Sequence, residues 1–258
     1  MNVEQPFTGP VGRCIYCGAT NVHLGNEHTL PKSLGGGGTL VLQKASCLAC
    51  GAITSKFERH VSRDLFSAVR AKHNLPTKHK DKRPTRLPLS VQRGKAEEII
   101  NVPIEVYPAL VPLPLFAPPA YIDKRSYSSG IDVVGHALFG PPVQEIRDRL
   151  NIDGFTVTIT HKGLDLARLI AKIAYGFAIR TFGPGIIDTA YVRPAILNLN
   201  QINDVGRWVG CVTQPPPSKM SNLHEMKLSV TNGDIYVYVR LFANYGTPEY
   251  LVITGLSP

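Results

Sequence analysis

The stretch that decides the fold runs from CIYCG at residues 14–18, through NEHTLPKSLGGGG at 26–38, to CLACG at 47–51. Four cysteines in two Cys-x-x-Cys pairs favour one tetrahedral zinc ion. The two-residue spacer lets each pair chelate from a tight turn. With all four positions taken by Cys14, Cys17, Cys47 and Cys50, no coordination site stays open, so the expected zinc is structural. Redox cysteines are the alternative, but they seldom come as two matched pairs. The fifth cysteine, Cys211, stands alone and reads as a small buried apolar residue.

The 29 residues between the pairs (18–46) exceed a usual zinc-ribbon gap and must form structure of their own. They hold an acid and a histidine side by side, Glu27 and His28, then Pro31 and four glycines. Neighbouring side chains on an extended strand point to opposite faces. A bend is needed before both can serve one site, and the proline and glycines supply residues suited to it.

CIYCG, then EHTLPKSLGG, then ASCLAC followed by a helix, resembles the zinc-stapled branch of the HNH endonucleases over residues 13–60. The resemblance implies a ββα-metal fold, in which a β hairpin and a helix clasp one catalytic divalent cation and the zinc holds the ends together. It implies that His28 is the general base, for which an imidazole suits. Glu27 is then the carboxylate ligand of a hard cation, Mg²⁺ or Mn²⁺. Two positions depart from the family pattern. The stretch before the second pair, TLVLQKA, has only Gln43 where an orienting Asn is usual. Gly51 follows the last cysteine where Asn or His would be the second ligand. If a helix begins near Cys50, Gly51, Thr54 and Glu58 share a face, and Glu58 is the candidate that reaches back to the metal. The competing reading makes Ser55-x-x-Glu58 a capping box at the helix start. His60 is a weaker candidate.

Charge is concentrated. The net charge is +9, and residues 56–95 hold 12 Lys or Arg against 3 Asp or Glu, so the whole excess lies just after the second pair. Ile53, Phe57, Val61, Leu65 and Val69 recur at helical spacing, with Lys56, Arg59, Arg63 and Arg70 on another face. Such a stripe suits a polyanion, most simply DNA. A solvated basic linker explains the charge equally well.

Three parts are expected: a zinc-stapled HNH-like module with its basic helix over 13–72, a basic and then proline-rich linker over 73–120, and a separate α+β domain over 121–258. The run 103–119 carries six prolines, which exclude a central strand or helix. FTVTIT at 155–160 reads as a strand and residues 163–179 as a helix with Leu166, Leu169, Ile170, Ile173 and Phe177 on one face. MKLSV and DIYVYVRLFA flank Asn232-Gly233, a hairpin signal, and EYLVITG at 249–255 is a further strand. The fold class is therefore α+β with antiparallel strands. No secretory signal and no run near membrane-spanning length is visible, so a soluble, cytoplasmic protein without membrane partners is expected. The functional expectation is a metal-dependent endonuclease acting on DNA. The alternative is a non-catalytic zinc-stapled nucleic-acid-binding protein with a degenerate HNH site, and a protein-interaction scaffold is a third reading.

Overall fold

The computed structural model describes residues 6–77, 83–127, 129–158, 162–198, 204–215, 217 and 221–258. In chain order the elements are β1 (Leu24–His28), β2 (Val41–Cys47), α1 (Leu48–His60), α2 (Ser67–Lys72), β3 (Arg86–Arg93), β4 (Ala96–Pro103), β5 (Val111–Phe116), α3 (Ala120–Asp123), β6 (Val133–Phe139), α4 (Val143–Leu150), β7 (Gly154–Thr156), α5 (Gly163–Phe182), α6 (Arg193–Leu197), α7 (Val205–Trp208), β8 (Val209–Cys211), β9 (His224–Thr231), β10 (Asp234–Leu241) and β11 (Tyr250–Leu256). All strand pairs between these elements are antiparallel, and the class is α+β.

The N-terminal part is a hairpin, β1 with β2, that runs straight into α1. A bulge shifts its register: Gly25 faces Ser46, but Glu27 faces Leu42. Lys44 takes a left-handed conformation in the bulge (φ +47°), and its N–H donates to the Asn26 side chain at 3.3 Å. α1 starts at Leu48, earlier than the periodicity from Ile53 suggested, because Cys47 closes the strand as an extended N-cap (φ −77°, ψ 160°). The helix continues through a π turn at Val61–Leu65, closed by the Phe66 N–H on the Val61 carbonyl at 3.2 Å, and then α2.

The longest helix, α5, is apolar on nearly every side and packs against α1, β10, β11 and α6. A helix with no polar stripe belongs inside the molecule. One cluster of buried side chains runs without interruption from Cys14, Ile15 and Tyr16, through Phe57, Val61 and Phe66, to α5 and the β8–β11–β10–β9 sheet. Buried residues of 13–72 and of 121–258 both belong to this cluster. The Asn232-Gly233 turn joins β9 and β10 as its sequence indicates, with both residues at positive φ.

The expected linker holds more than connecting chain. Residues 86–103 form the β3–β4 hairpin, whose buried Leu89, Val91 and Val102 make a small second core with Ile152. Within the proline-rich run, Val111–Phe116 pairs with a single neighbour, β6, so its prolines avoid the need for a ladder on both edges. Of the expected strand at 155–160 only Phe155 and Thr156 are paired among the described residues, and residues 159–161 lie outside these. The centre of the basic loop, 78–82, also lies outside them. Among the described residues no helix is long and apolar enough to cross a membrane.

Candidate metal centre and the adjoining carboxylate niche

The four cysteines converge. Their Sγ atoms all lie within 4.8 Å of one another, and those of Cys17 and Cys47 are 3.7 Å apart. A Zn–S bond of about 2.3 Å requires S···S edges of about 3.8 Å in a tetrahedron. The donor set therefore fits a metal such as zinc. The first pair sits on a turn in which the Cys14 carbonyl accepts from the Gly18 N–H at 2.8 Å, and Gly18 takes φ +80°. The second pair brackets the start of α1, with Cys47 as N-cap and Cys50 in the first turn. Burial opposes ionisation of Cys47, but the Cys50 N–H and the neighbouring thiols outweigh it and bring the thiol down to about 7. Burial pushes the Cys50 thiol up, and its thiol neighbours add to this. A dication bound among them favours all four thiolates together.

The knuckle is anchored from behind. The Ile15 N–H donates to the Ala45 carbonyl at 2.8 Å, and the Tyr175 hydroxyl of α5 donates to the Ile15 carbonyl at 2.7 Å. The Cys14–Cys17 turn is thus tied both to β2 and to the longest helix.

Glu27 and His28 end β1. Glu27 is buried beneath α1 and α5, and His28 is half-buried. Glu58, nearly three turns into α1, faces the same niche. What joins the two carboxylates is Lys172 of α5. Its Nζ lies 2.7 Å from Glu27 and 3.1 Å from Glu58, with the lysine side chain 1% exposed. The same ammonium donates to the His28 carbonyl and lies 3.5 Å from the Thr29 carbonyl. Burial works to lower the Lys172 pKa, but Glu27 and Glu58 overrule it and raise it above the usual lysine value. Burial raises Glu58, opposed by Lys172. Taking an ammonium out of water costs several kcal/mol, which only close carboxylates offset.

This arrangement does not fit a divalent cation at Glu27. Both carboxylates already face a cation of the chain's own, the Lys172 ammonium. Gly51, in the first turn of α1, offers no ligand side chain, as its identity dictates. Gln43 is exposed and engages the N-terminal segment through its backbone, accepting from the Val11 N–H at 2.9 Å.

His28 has Nδ1 buried without a hydrogen-bond partner. Burial, then Lys32 and Lys172, lower its pKa, which keeps the ring neutral at neutral pH. The His60 Nδ1 pairs with Asp165 at 2.8 Å. Ser55 is no cap: it lies inside α1 and its hydroxyl donates to the Ala52 carbonyl at 3.1 Å. Lys56, Arg59 and Arg63 are exposed at helical spacing, as the stripe requires. Arg70 departs from it. Its guanidinium donates to the carbonyls of Ser33 (2.6 Å), Ser62 (3.2 Å) and Pro76 (3.2 Å), and so braces the loop after His28.

Sequence reading missed Lys172, Tyr16 and Tyr175. A signal for Lys172 existed: a lysine midway along a helix apolar on every side has no solvent face to reach and needs a buried anion. The partner's identity was not legible, because it depends on how α5 packs. No protein-family model, no curated protein and no solved structure matches the chain.

Proposed function

We propose that this protein binds nucleic acid through a zinc-stapled, HNH-like module and its basic helix, without divalent-metal hydrolysis. The observation that carries this reading is the buried Lys172 ammonium between Glu27 and Glu58. Those two carboxylates are the pair a catalytic cation would need. Exposed Lys56, Arg59 and Arg63 supply the phosphate contacts, with Lys32 and Lys44 exposed on the adjoining hairpin. Such contacts give affinity without sequence information.

A second reading is favoured by a different observation: His28 adjoins Glu27, and burial with Lys32 and Lys172 lowers its pKa and keeps it neutral, the form a general base requires. Under it the protein is an HNH-type endonuclease cutting DNA, and Lys172 must first leave the niche.

The deciding experiment is plasmid cleavage by zinc-loaded protein with Mg²⁺ or Mn²⁺, beside His28→Ala, together with a gel-shift series in rising salt. The binding reading expects no cleavage and a salt-sensitive shift by both proteins. Cleavage by the wild type and not by His28→Ala replaces it with the nuclease. No shift at low salt sinks the binding reading.

A further inference from the structure

Four oxygens surround the Lys172 ammonium: one from each of Glu27 and Glu58, and the carbonyls of His28 and Thr29. That is the donor chemistry of a hard-cation site, in which carboxylates and backbone carbonyls share one positive charge. The niche also holds more polar capacity than the ammonium uses. The Tyr16 hydroxyl and Thr29 Oγ1 are buried with no hydrogen-bond partner, in side chains 1% and 0% exposed. Tyr16 is close enough to both carboxylates for their charge to hold its hydroxyl protonated, in addition to burial. The chain is shaped to bring the ammonium in. Gly176 lies one turn beyond Lys172 on α5, and a Cβ there would come within 3.0 Å of Thr29 Oγ1. A side chain at that position would press on Thr29, so the glycine eases the close approach of the helix to the end of β1.

We propose that Lys172 is a resident substitute for a divalent cation: the Glu27–Glu58 niche is an oxygen-lined cation site filled by the chain's own ammonium, and removing that ammonium opens it to a divalent cation. The substitution is one charge short, since two carboxylates face one ammonium. A dication would balance them. The inference rests on the reading above for the role of the two carboxylates, but metal uptake is measured without nucleic acid, so the two fail separately.

The experiment titrates Mn²⁺ into zinc-loaded wild type, Lys172→Ala, and Lys172→Ala with Glu27→Gln, following free Mn²⁺ by its electron paramagnetic resonance signal. The wild type is expected to leave the signal unchanged at submillimolar Mn²⁺. Lys172→Ala is expected to take up one equivalent, and the added Glu27→Gln to weaken that uptake at least tenfold. Mn²⁺ taken up by the wild type as tightly as by Lys172→Ala overturns the proposal, because the ammonium would then not be what fills the niche. So does a folded Lys172→Ala that takes up none. If Lys172→Ala does not fold alone, it is refolded with zinc and with or without Mn²⁺. Recovery that needs Mn²⁺ supports the proposal, and no recovery in either overturns it.

Discussion

His224, at the start of β9, places its Nε2 2.8 Å from the carbonyl of Leu34, in the turn that follows Glu27-His28. Its other ring nitrogen, Nδ1, accepts from the Phe242 N–H at 3.2 Å. One nitrogen must donate and the other accept, so the neutral tautomer with the proton on Nε2 satisfies both bonds. The last sheet of the chain thereby fixes a loop that the sequence places near its beginning.

This arrangement makes stability depend on pH. Burial brings His224 down to about 4, with His73 nearby acting in the same direction and the Leu34 carbonyl opposing. The unfolded chain protonates this histidine near pH 6.5. Its contribution is therefore intact above pH 6.5 and is lost as pH falls from there toward 4, by about 3 kcal/mol. Urea unfolding at pH 7 and pH 4 measures it. His224→Gln keeps a donor and an acceptor without titrating, and should remove a loss of that size from the acid limb. An unchanged acid limb in the variant would show that His224 is not responsible.

The glycine turn separates two adjacent residues by geometry. A Cβ at Gly36 would stand 1.7 Å from the Leu30 carbonyl oxygen, whereas one at Gly37 would meet nothing within 4 Å. Backbone cannot yield as a flexible side chain does. Gly36→Ala should cost about 3 kcal/mol or force the turn open, and Gly37→Ala less than about 1 kcal/mol. Denaturant midpoints of the two zinc-loaded variants give the comparison. Equal midpoints would mean that the turn does not press Gly36 onto Leu30.

Zinc should be inseparable from the packing of residues 10–19. Cys14, Ile15 and Tyr16 are buried in the main core, and the turn that carries them is closed by few backbone bonds. Cys47→Ser, or a strong chelator, should detach the knuckle and expose Tyr16, seen as loss of hydrogen-exchange protection at Ile15 and in its partner β2. Protection that survives in verified zinc-free protein would remove the staple. Tyr175→Phe offers a milder probe, leaving the Ile15 carbonyl without its partner at a cost of about 1–3 kcal/mol.

Local patterns were the legible part of this sequence. The helix from Ile53 to Val69, the Asn232-Gly233 hairpin and the cysteine cluster all follow from short-range spacing. The helix began early because Cys47 is its N-cap as well as a member of the four-cysteine cluster, two roles one residue pattern does not announce. The β3–β4 hairpin was hidden by a basic, proline-broken composition, and its small core depends on Ile152, far along the chain. Lys172 was hidden for the same reason: its meaning lies in residues brought to it by tertiary packing. Arg70 shows the converse error, where a residue on a charged stripe is consumed by three carbonyls.

That distinction between Arg70 and its neighbours gives the last prediction. Lys56, Arg59 and Arg63 are exposed, and among these three no side-chain ion pair is formed with the described residues. If they meet phosphates, replacing all three with alanine should weaken duplex binding for every sequence alike. It should also flatten the plot of log affinity against log salt by about 2.7, near 0.9 for each lost contact. Arg70→Ala should act differently. It should lower stability, because three carbonyls lose their donor, and leave the salt slope of the remaining folded protein unchanged. Fluorescence anisotropy of a short labelled duplex across a KCl series, paired with thermal melts, reads both effects. A triple variant with the wild-type slope would place the nucleic-acid contacts elsewhere on the chain, and an Arg70→Ala that flattens the slope while melting normally would restore Arg70 to the binding stripe.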